Sequence, residues 1–306
     1  MISKELLQKY PLTKNAFDYI NRVFFIYEKS YFHIMANFDE DYLKFSEELI
    51  SNIKKTYVSR DQETIGLDAF IKFSYEFLFQ QVEFVKRGTY QSSSFKEVAD
   101  SVYFSEEVMM PYMEGLLYSQ IFWPNHYKFG QYFLKELAPL KNVSRAMDVP
   151  IGDGIFVYYM IKNLAFQRLD AFDISAHAVK FSSNFLKKSC NVNNVSISIR
   201  NVFDLTGQKQ YDLIVCGELL EHLENPVEML KKLKSLLKDD GTLFLTTAIY
   251  AAAADHIYLF NNVAEVRTML SEEFKITSEC ILPLSLKEYH PEMNKEAINY
   301  ACVLKK

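Results

Sequence analysis

The sequence predicts an α/β fold, a Rossmann-like, doubly wound and mostly parallel sheet, preceded by an all-helical segment. Three observations carry this expectation. From about residue 143, short apolar runs alternate with amphipathic helical stretches, as strands joined by crossover helices require. The first run ends in an acid and a tight glycine turn, Asp148-Val149-Pro150-Ile151-Gly152-Asp153-Gly154. Before about residue 140 the periodicity is helical, glycine is scarce, and no strand pattern occurs. The expected division is residues 1–140 and 141–306.

In the first segment, Thr13 is expected to cap a helix whose apolar face is Phe17, Ile20, Val23, Phe24 and Tyr27. Residues 39–57 repeat the pattern with Tyr42, Phe45, Leu49 and Ile53. A third helix, 66–86, carries Phe70, Phe73, Phe77, Phe79 and Phe84. After the Gly88–Ser94 loop come a short helix, a longer one over 105–122 and another over 127–137, with Trp123-Pro124 as the break.

The second segment alternates strictly. Strands are expected at 144–149, 168–174, 195–200, 211–216 and 242–247, with 276–284 and 299–304 as a closing hairpin. Helices are expected at 176–189, 226–238 and near 263–270. Asn225, Pro226 and Glu228 form the start of the second of these, and Asp239-Asp240-Gly241 its stop.

The bulk properties describe a soluble globular chain, 49% hydrophobic and 24% charged over 306 residues. A net charge of −5 disfavours nucleic acid as a partner, because phosphate binding needs a basic face. Cys190, Cys216, Cys280 and Cys302 lack metal-site spacing and fit small core residues in a reducing compartment. The N-terminus lacks signal-peptide character, and no apolar run is long enough to span a membrane, so a cytoplasmic location with no membrane partner is expected. The 25 Phe and 20 Tyr fill a large core or, in part, line a pocket.

Gly152 and Gly154 have no side chain to block a ligand pressed against the backbone. Asp173 ends the second strand nineteen residues after Gly154. A glycine turn followed by such an acid is the layout for an adenosine ligand. The chain from about 143 resembles the class I S-adenosylmethionine (SAM)-dependent methyltransferases, whose first motif runs acid-x-Gly-x-Gly-x-Gly; Pro150 stands here in place of the first glycine. The resemblance implies SAM as cofactor. It places Asp148, Pro150, Gly152 and Gly154 at the methionine part, Asp173 and Ile174 at the ribose, and Asn201 and Val202 at the adenine, with Asp204 as a competing acceptor. Cys216 and Gly217 follow at the end of the fourth strand. Residues 1–140 then become a helical lid or substrate-binding domain, in which Tyr112, Tyr118, Trp123, His126 and Tyr127 are pocket candidates or, alternatively, core and cap residues.

Glu218-Leu219-Leu220-Glu221-His222, continuing to Pro226, matches an ExLEHxxxP run frequent in the quinone-biosynthesis type of this family. On a helix, Glu218, Glu221 and His222 would share a face. With His256 they resemble the metal site of small-RNA 2′-O-methyltransferases, which implies a divalent metal ion held by these four residues. Local capping and packing is the competing explanation. Glu218 and His222 are therefore catalytic candidates, and His126 is a general-base candidate by position. His177, His33 and His290 are weaker. The expected function is methyl transfer to an O or N of a small, aromatic or heteroaromatic metabolite, with a homodimer through the helical domain as one assembly. The alternatives are a metal-dependent RNA 2′-O-methyltransferase and a non-catalytic SAM-binding scaffold.

Overall fold

The computed structural model describes residues 2–24, 38–59, 61–285 and 287–306. Helices come first: α1 (Lys4–Leu7), α2 (Pro11–Val23), α3 (Glu40–Lys54), α4 (Asp61–Arg87) and α5 (Phe95–Val98). A π-helical turn (Ala99–Tyr103), α6 (Glu106–Phe122) and α7 (Pro124–Leu137) follow. Pro11 opens α2, where its fixed φ suits the first helical position. Thr13 therefore lies inside that helix and does not cap it. The free N–H groups of Leu12 and Thr13 donate to the Glu47 carboxylate on α3, at 3.0 and 2.8 Å. A charged acceptor from a neighbouring helix replaces the local cap. Val23 is exposed rather than on the buried face, and Tyr27 and His33 lie outside the described residues. Asp39 caps α3 through the N–H groups of Asp41 and Tyr42. The third helix starts earlier than expected and runs through Gly66, and its Phe79 faces outward.

The second segment comprises β1 (Val143–Asp148), α8 (Ile155–Asn163), β2 (Phe166–Asp173), α9 (Ala176–Ser189), β3 (Val195–Ile199) and β4 (Tyr211–Cys216). It continues with α10 (Pro226–Leu236), β5 (Leu237–Ile249), α11 (Val263–Glu273), β6 (Lys275–Pro283) and β7 (Ile298–Lys305). The sheet order is β3-β2-β1-β4-β5-β7-β6, with β7 antiparallel to both neighbours. This is a Rossmann-like α/β sheet with an antiparallel edge. One boundary differs from expectation. Asp239-Asp240-Gly241 does not stop a helix but lies within β5, which starts as soon as α10 ends. Leu237, fully buried, pairs with Tyr211 of β4, so the sheet claims the residue that periodicity assigned to the helix.

The helical segment shares its core with the sheet. Phe133 of α7 is fully buried and meets the rings of Phe156 on α8 at 5.0 Å and Phe244 on β5 at 4.6 Å. Tyr42, Phe45 and Tyr127 extend this aromatic packing from α3 to α7. Among the described residues no helix is long and apolar enough to cross a membrane.

Phe133→Ala removes the ring that joins the two segments and should cost about 3–5 kcal/mol, measured by urea denaturation. A loss below about 1 kcal/mol would contradict a shared core.

Candidate active site

The carboxyl ends of β1, β2 and β4 gather acids in one place. Asp148 ends β1, is fully buried, and neither of its carboxylate oxygens has a partner among the described residues. The turn after it holds Gly152 at φ 50° and Gly154 at φ 86°, the left-handed region that glycine enters without strain. The two glycines do different work. A Cβ on Gly152 would meet open space, whereas one on Gly154 would press on Ser182 of α9 at 3.1 Å. Gly152 is thus the open position and Gly154 the packing position. The Val149–Pro150 peptide is cis.

Asp173 links this turn to the next one. Its carboxylate accepts from Gly152 N–H at 3.1 Å and from Ser175 N–H at 2.9 Å. Ser175 then caps α9. Ile174 lies between them, half-buried. Asn201, exposed after β3, uses its side-chain oxygen to cap the short 3-10 turn Val202–Asp204; Val202 is buried and Asp204 exposed. At the end of β4, Cys216 is fully buried, and Gly217 leaves room for the Phe156 ring, which its Cβ would meet at 2.7 Å.

Glu218 does not lie on a helix with Glu221 and His222. It adopts φ 47°, and only Leu220–His222 forms a 3-10 turn. The shared helix face expected from spacing is absent, because the Glu218 N–H is drawn to Thr246 of β5. The convergence arises through the sheet and the following loop instead. Ligand atoms of Glu221, His222 and His256 lie within 4.8 Å of one another. The N–H groups of Ile257 and Tyr258 both donate to the Glu221 carbonyl, which ties the His256 loop to the 3-10 turn. The histidine rings stand edge to face, 4.9 Å apart.

The hydrogen bonds set the tautomers. His256 Nδ1 is 2.7 Å from the Ala251 carbonyl and His222 Nδ1 is 3.0 Å from the Asp255 carbonyl. A carbonyl only accepts, so each Nδ1 carries a proton, which leaves Nε2 as the nitrogen that each ring can offer to a ligand. Glu221 accepts from the Thr247 hydroxyl at 2.6 Å and from Ala248 N–H at 3.2 Å. Glu218 Oε1 is buried without a partner. The two imidazoles and the fixed Glu221 carboxylate form a donor set that fits a divalent metal ion, whereas Glu218, the fourth expected ligand, is not part of this group among the described residues.

The electrostatics agree. Burial, followed by Asp153 and Asp173, pushes the Asp148 carboxyl well above the usual range. Burial raises Asp153 and Asp173 to about 6. Burial and then Glu221 raise Glu218, and burial raises Glu221. Burial, then His222, lowers His256 to about 4, so its imidazole stays neutral. These acids lie close together in a dry site that favours cations.

The helical segment roofs the site with residues that spacing alone did not single out. Tyr103, on the π turn, places its hydroxyl 3.0 Å from His222 Nδ1 and donates to Asp255 at 3.0 Å. Its carbonyl accepts from the Ser175 hydroxyl. Gln120 of α6 donates to Asp153 at 3.1 Å. Gln81 of α4 holds the 250–252 loop by bonds to Tyr250 and Ala252. Asp153 and Asp255 did stand beside quoted residues, Gly152 and His256. Tyr103 and Gln120 had no local signal.

Of the aromatic candidates, Tyr112 lies in the field of Asp255, Glu218 and Glu221; burial and these charges raise its hydroxyl pKa well above the ordinary value. Its ring meets Phe73 at 5.1 Å, and Phe73 and Phe77 meet Trp123 at 5.1 and 5.3 Å. Trp123 Nε1 is buried without a partner. His126 packs edge-on to Trp123, shares a 2.7 Å hydrogen bond with Ser119, and is held near pKa 4 by burial. Tyr118 and Tyr127 belong to the packed core. His177 lies 3.3 Å from the Phe104 carbonyl, and His290 is exposed.

A sheet of this order, with a glycine turn after β1 and an acid ending β2, has the layout of a Rossmann-like nucleotide-binding domain. Residues 147–243 match the family model described as a methyltransferase domain. Curated relatives agree. A ubiquinone biosynthesis O-methyltransferase of Xanthomonas campestris pv. campestris is 32% identical over 114 residues, 36% of this chain and 46% of the relative. A tRNA U34 carboxymethyltransferase of Campylobacter concisus is 29% identical over 144 residues, 45% of this chain and 46% of the relative. An (S)-coclaurine N-methyltransferase of Thalictrum flavum subsp. glaucum is 26% identical over 121 residues, 40% and 33% of the two chains. The chain thus spans about half the length, or less, of these relatives.

Asp173→Ala removes the carboxylate that joins the two turns and should weaken S-adenosylhomocysteine binding by more than tenfold, about 1.4 kcal/mol or more, in calorimetric titration. Unchanged affinity would place the cofactor elsewhere.

Proposed function

We propose that this protein transfers the methyl group of SAM to an oxygen or nitrogen of a small aromatic or heteroaromatic metabolite whose adjacent heteroatoms chelate a divalent metal ion. One observation carries this reading: ligand atoms of Glu221, His222 and His256 converge within 4.8 Å, and the Tyr112 ring, packed on Phe73, lies in the field of Glu218 and Glu221.

The residues divide the work. Gly152 opens the backbone to the cofactor, and Asp173, with spare lone pairs after its two N–H bonds, accepts from the ribose hydroxyls. Asp148 and Asp153, held toward the neutral acid by burial, would ionise against the cationic methionine portion. Asn201 or Asp204 receives the adenine amino group. Glu221, His222 and His256, with Glu218 near them, would hold the metal, which would supply Lewis-acid polarisation of the acceptor group. Tyr112 and Trp123 flank the acceptor ring, and the roof formed by Tyr103 and Gln120 excludes water. Positioning supplies much of the rate, because attack on a sulfonium methyl needs mainly alignment. His126, neutral and engaged by Ser119, is free to accept a proton only through Nε2.

A second reading, methylation of RNA, draws support from the same donor set and from the match to the tRNA-modifying enzyme. The net charge of −5 weighs against it.

The proposal predicts SAM consumption with catechol-type or hydroxylated heteroaromatic acceptors. Chelator should abolish it, added Mg or Mn should restore it, and Glu221→Gln should lower kcat about 10–100-fold with S-adenosylhomocysteine binding unchanged. Turnover insensitive to chelator would remove the metal from the account. Tight SAM binding without turnover of any such acceptor would favour a scaffold.

A further inference from the structure

A polar cavity opens on the sheet face over β2 and β3, lined by none of the acids of the candidate active site. The connection from β3 to β4 contains only a 3-10 turn where crossovers in such sheets usually carry a full helix. Of the lining residues only Leu236, the last residue of α10, comes from an α-helix. Side chains alternate along a strand, so Arg168, Asp170 and Phe172 of β2 share a face. The register sets Arg145 beside Arg168, Ser196 beside Asp170 and Ser198 beside Phe172. Together with Arg200 these line a cavity of about 150 Å³.

The charges do not cancel. Asp170, only 2% exposed, is the one acid lining the cavity. It takes Nε and Nη2 of Arg145 at 2.8 Å each, Nε of Arg168 at 2.8 Å and the Tyr211 hydroxyl at 3.2 Å. Arg145 is fully engaged, since its remaining nitrogen donates to Gln210 at 2.7 Å. Three guanidinium groups against one carboxylate leave two positive charges. The outer nitrogens of Arg168, the whole guanidinium of Arg200 and the Ser196 and Ser198 hydroxyls find no acceptor among the described residues. Arg200 stands 5.9 Å over the Phe172 ring, which holds it at the cavity wall.

We propose that this cavity binds the dianionic phosphate of a small phosphate monoester, held by Arg168 and Arg200 and by the hydroxyls of Ser196 and Ser198. Two unspent positive charges match a dianion, and guanidinium forks plus hydroxyl donors match its three terminal oxygens. Arg145 and Asp170 form the support that orients Arg168. The volume admits one phosphate and little more, and the donors form a pocket rather than a stripe along the surface, which favours a small ester over a nucleic-acid backbone. This site does not depend on the methyl-transfer reading.

The test is calorimetric titration of the full chain at low salt with inorganic phosphate and with glycerol 3-phosphate, and with glycerol as neutral control. The expected result is one equivalent of each anion bound and none of glycerol. Arg168→Gln and Arg200→Gln, both at exposed side chains, should each weaken binding about tenfold or more, with S-adenosylhomocysteine affinity unchanged. No saturable binding of either anion, or binding that both variants retain, overturns the proposal. Binding of an RNA oligonucleotide without either small anion overturns it as well.

Discussion

The structure depends on one electrostatic constraint: several carboxylates are buried together at the carboxyl end of the sheet. Asp148, Asp153, Asp173, Glu221 and Asp255 are all at most 6% exposed. Like charges in a dry site cannot all ionise without compensation. Hydrogen bonds compensate in part, through Gly152 and Ser175 at Asp173, Thr247 and Ala248 at Glu221, Gln120 at Asp153, and Tyr103 at Asp255. Asp148 and one oxygen of Glu218 have no such partner. A cofactor with a sulfonium and an ammonium group, and the divalent metal proposed above, would turn this arrangement from a cost into an attraction.

The same constraint gives the helical segment its role. Buried acids need donors from the elements packed over them. Tyr103, Gln120, Gln81 and Tyr90 all bond to the acidic turns or the loops behind them. Phe133 and its neighbours anchor these helices in the sheet core, so the two segments share one packing unit.

Elements with strong local signals were legible in the sequence. Residues 176–189 and 211–216 match their expected helix and strand, because alternation and capping there agree with the tertiary demand. The Glu–Glu–His cluster was legible as a set of residue types but not as a geometry. A helix was expected from the i, i+3, i+4 spacing, whereas pairing of Glu218 with β5 bends the backbone into a positive φ. The Asp239–Gly241 stop failed for a similar reason, since sheet pairing at Leu237 outweighs a local turn signal. Tyr103 and Gln120 were invisible because their partners lie far along the chain, and the arginine cavity because it exists only once three strands are in register.

The most direct test of the central claim is a crystal structure of the protein with S-adenosylhomocysteine, with anomalous scattering recorded after soaking in Mn. The account predicts the ribose at Asp173, the backbone of Gly152 against the ligand, the sulfur directed toward Tyr112, and an anomalous peak among Glu218, Glu221, His222 and His256. A ligand bound away from the Asp148–Gly154 turn, with no peak between the two histidines, would contradict it.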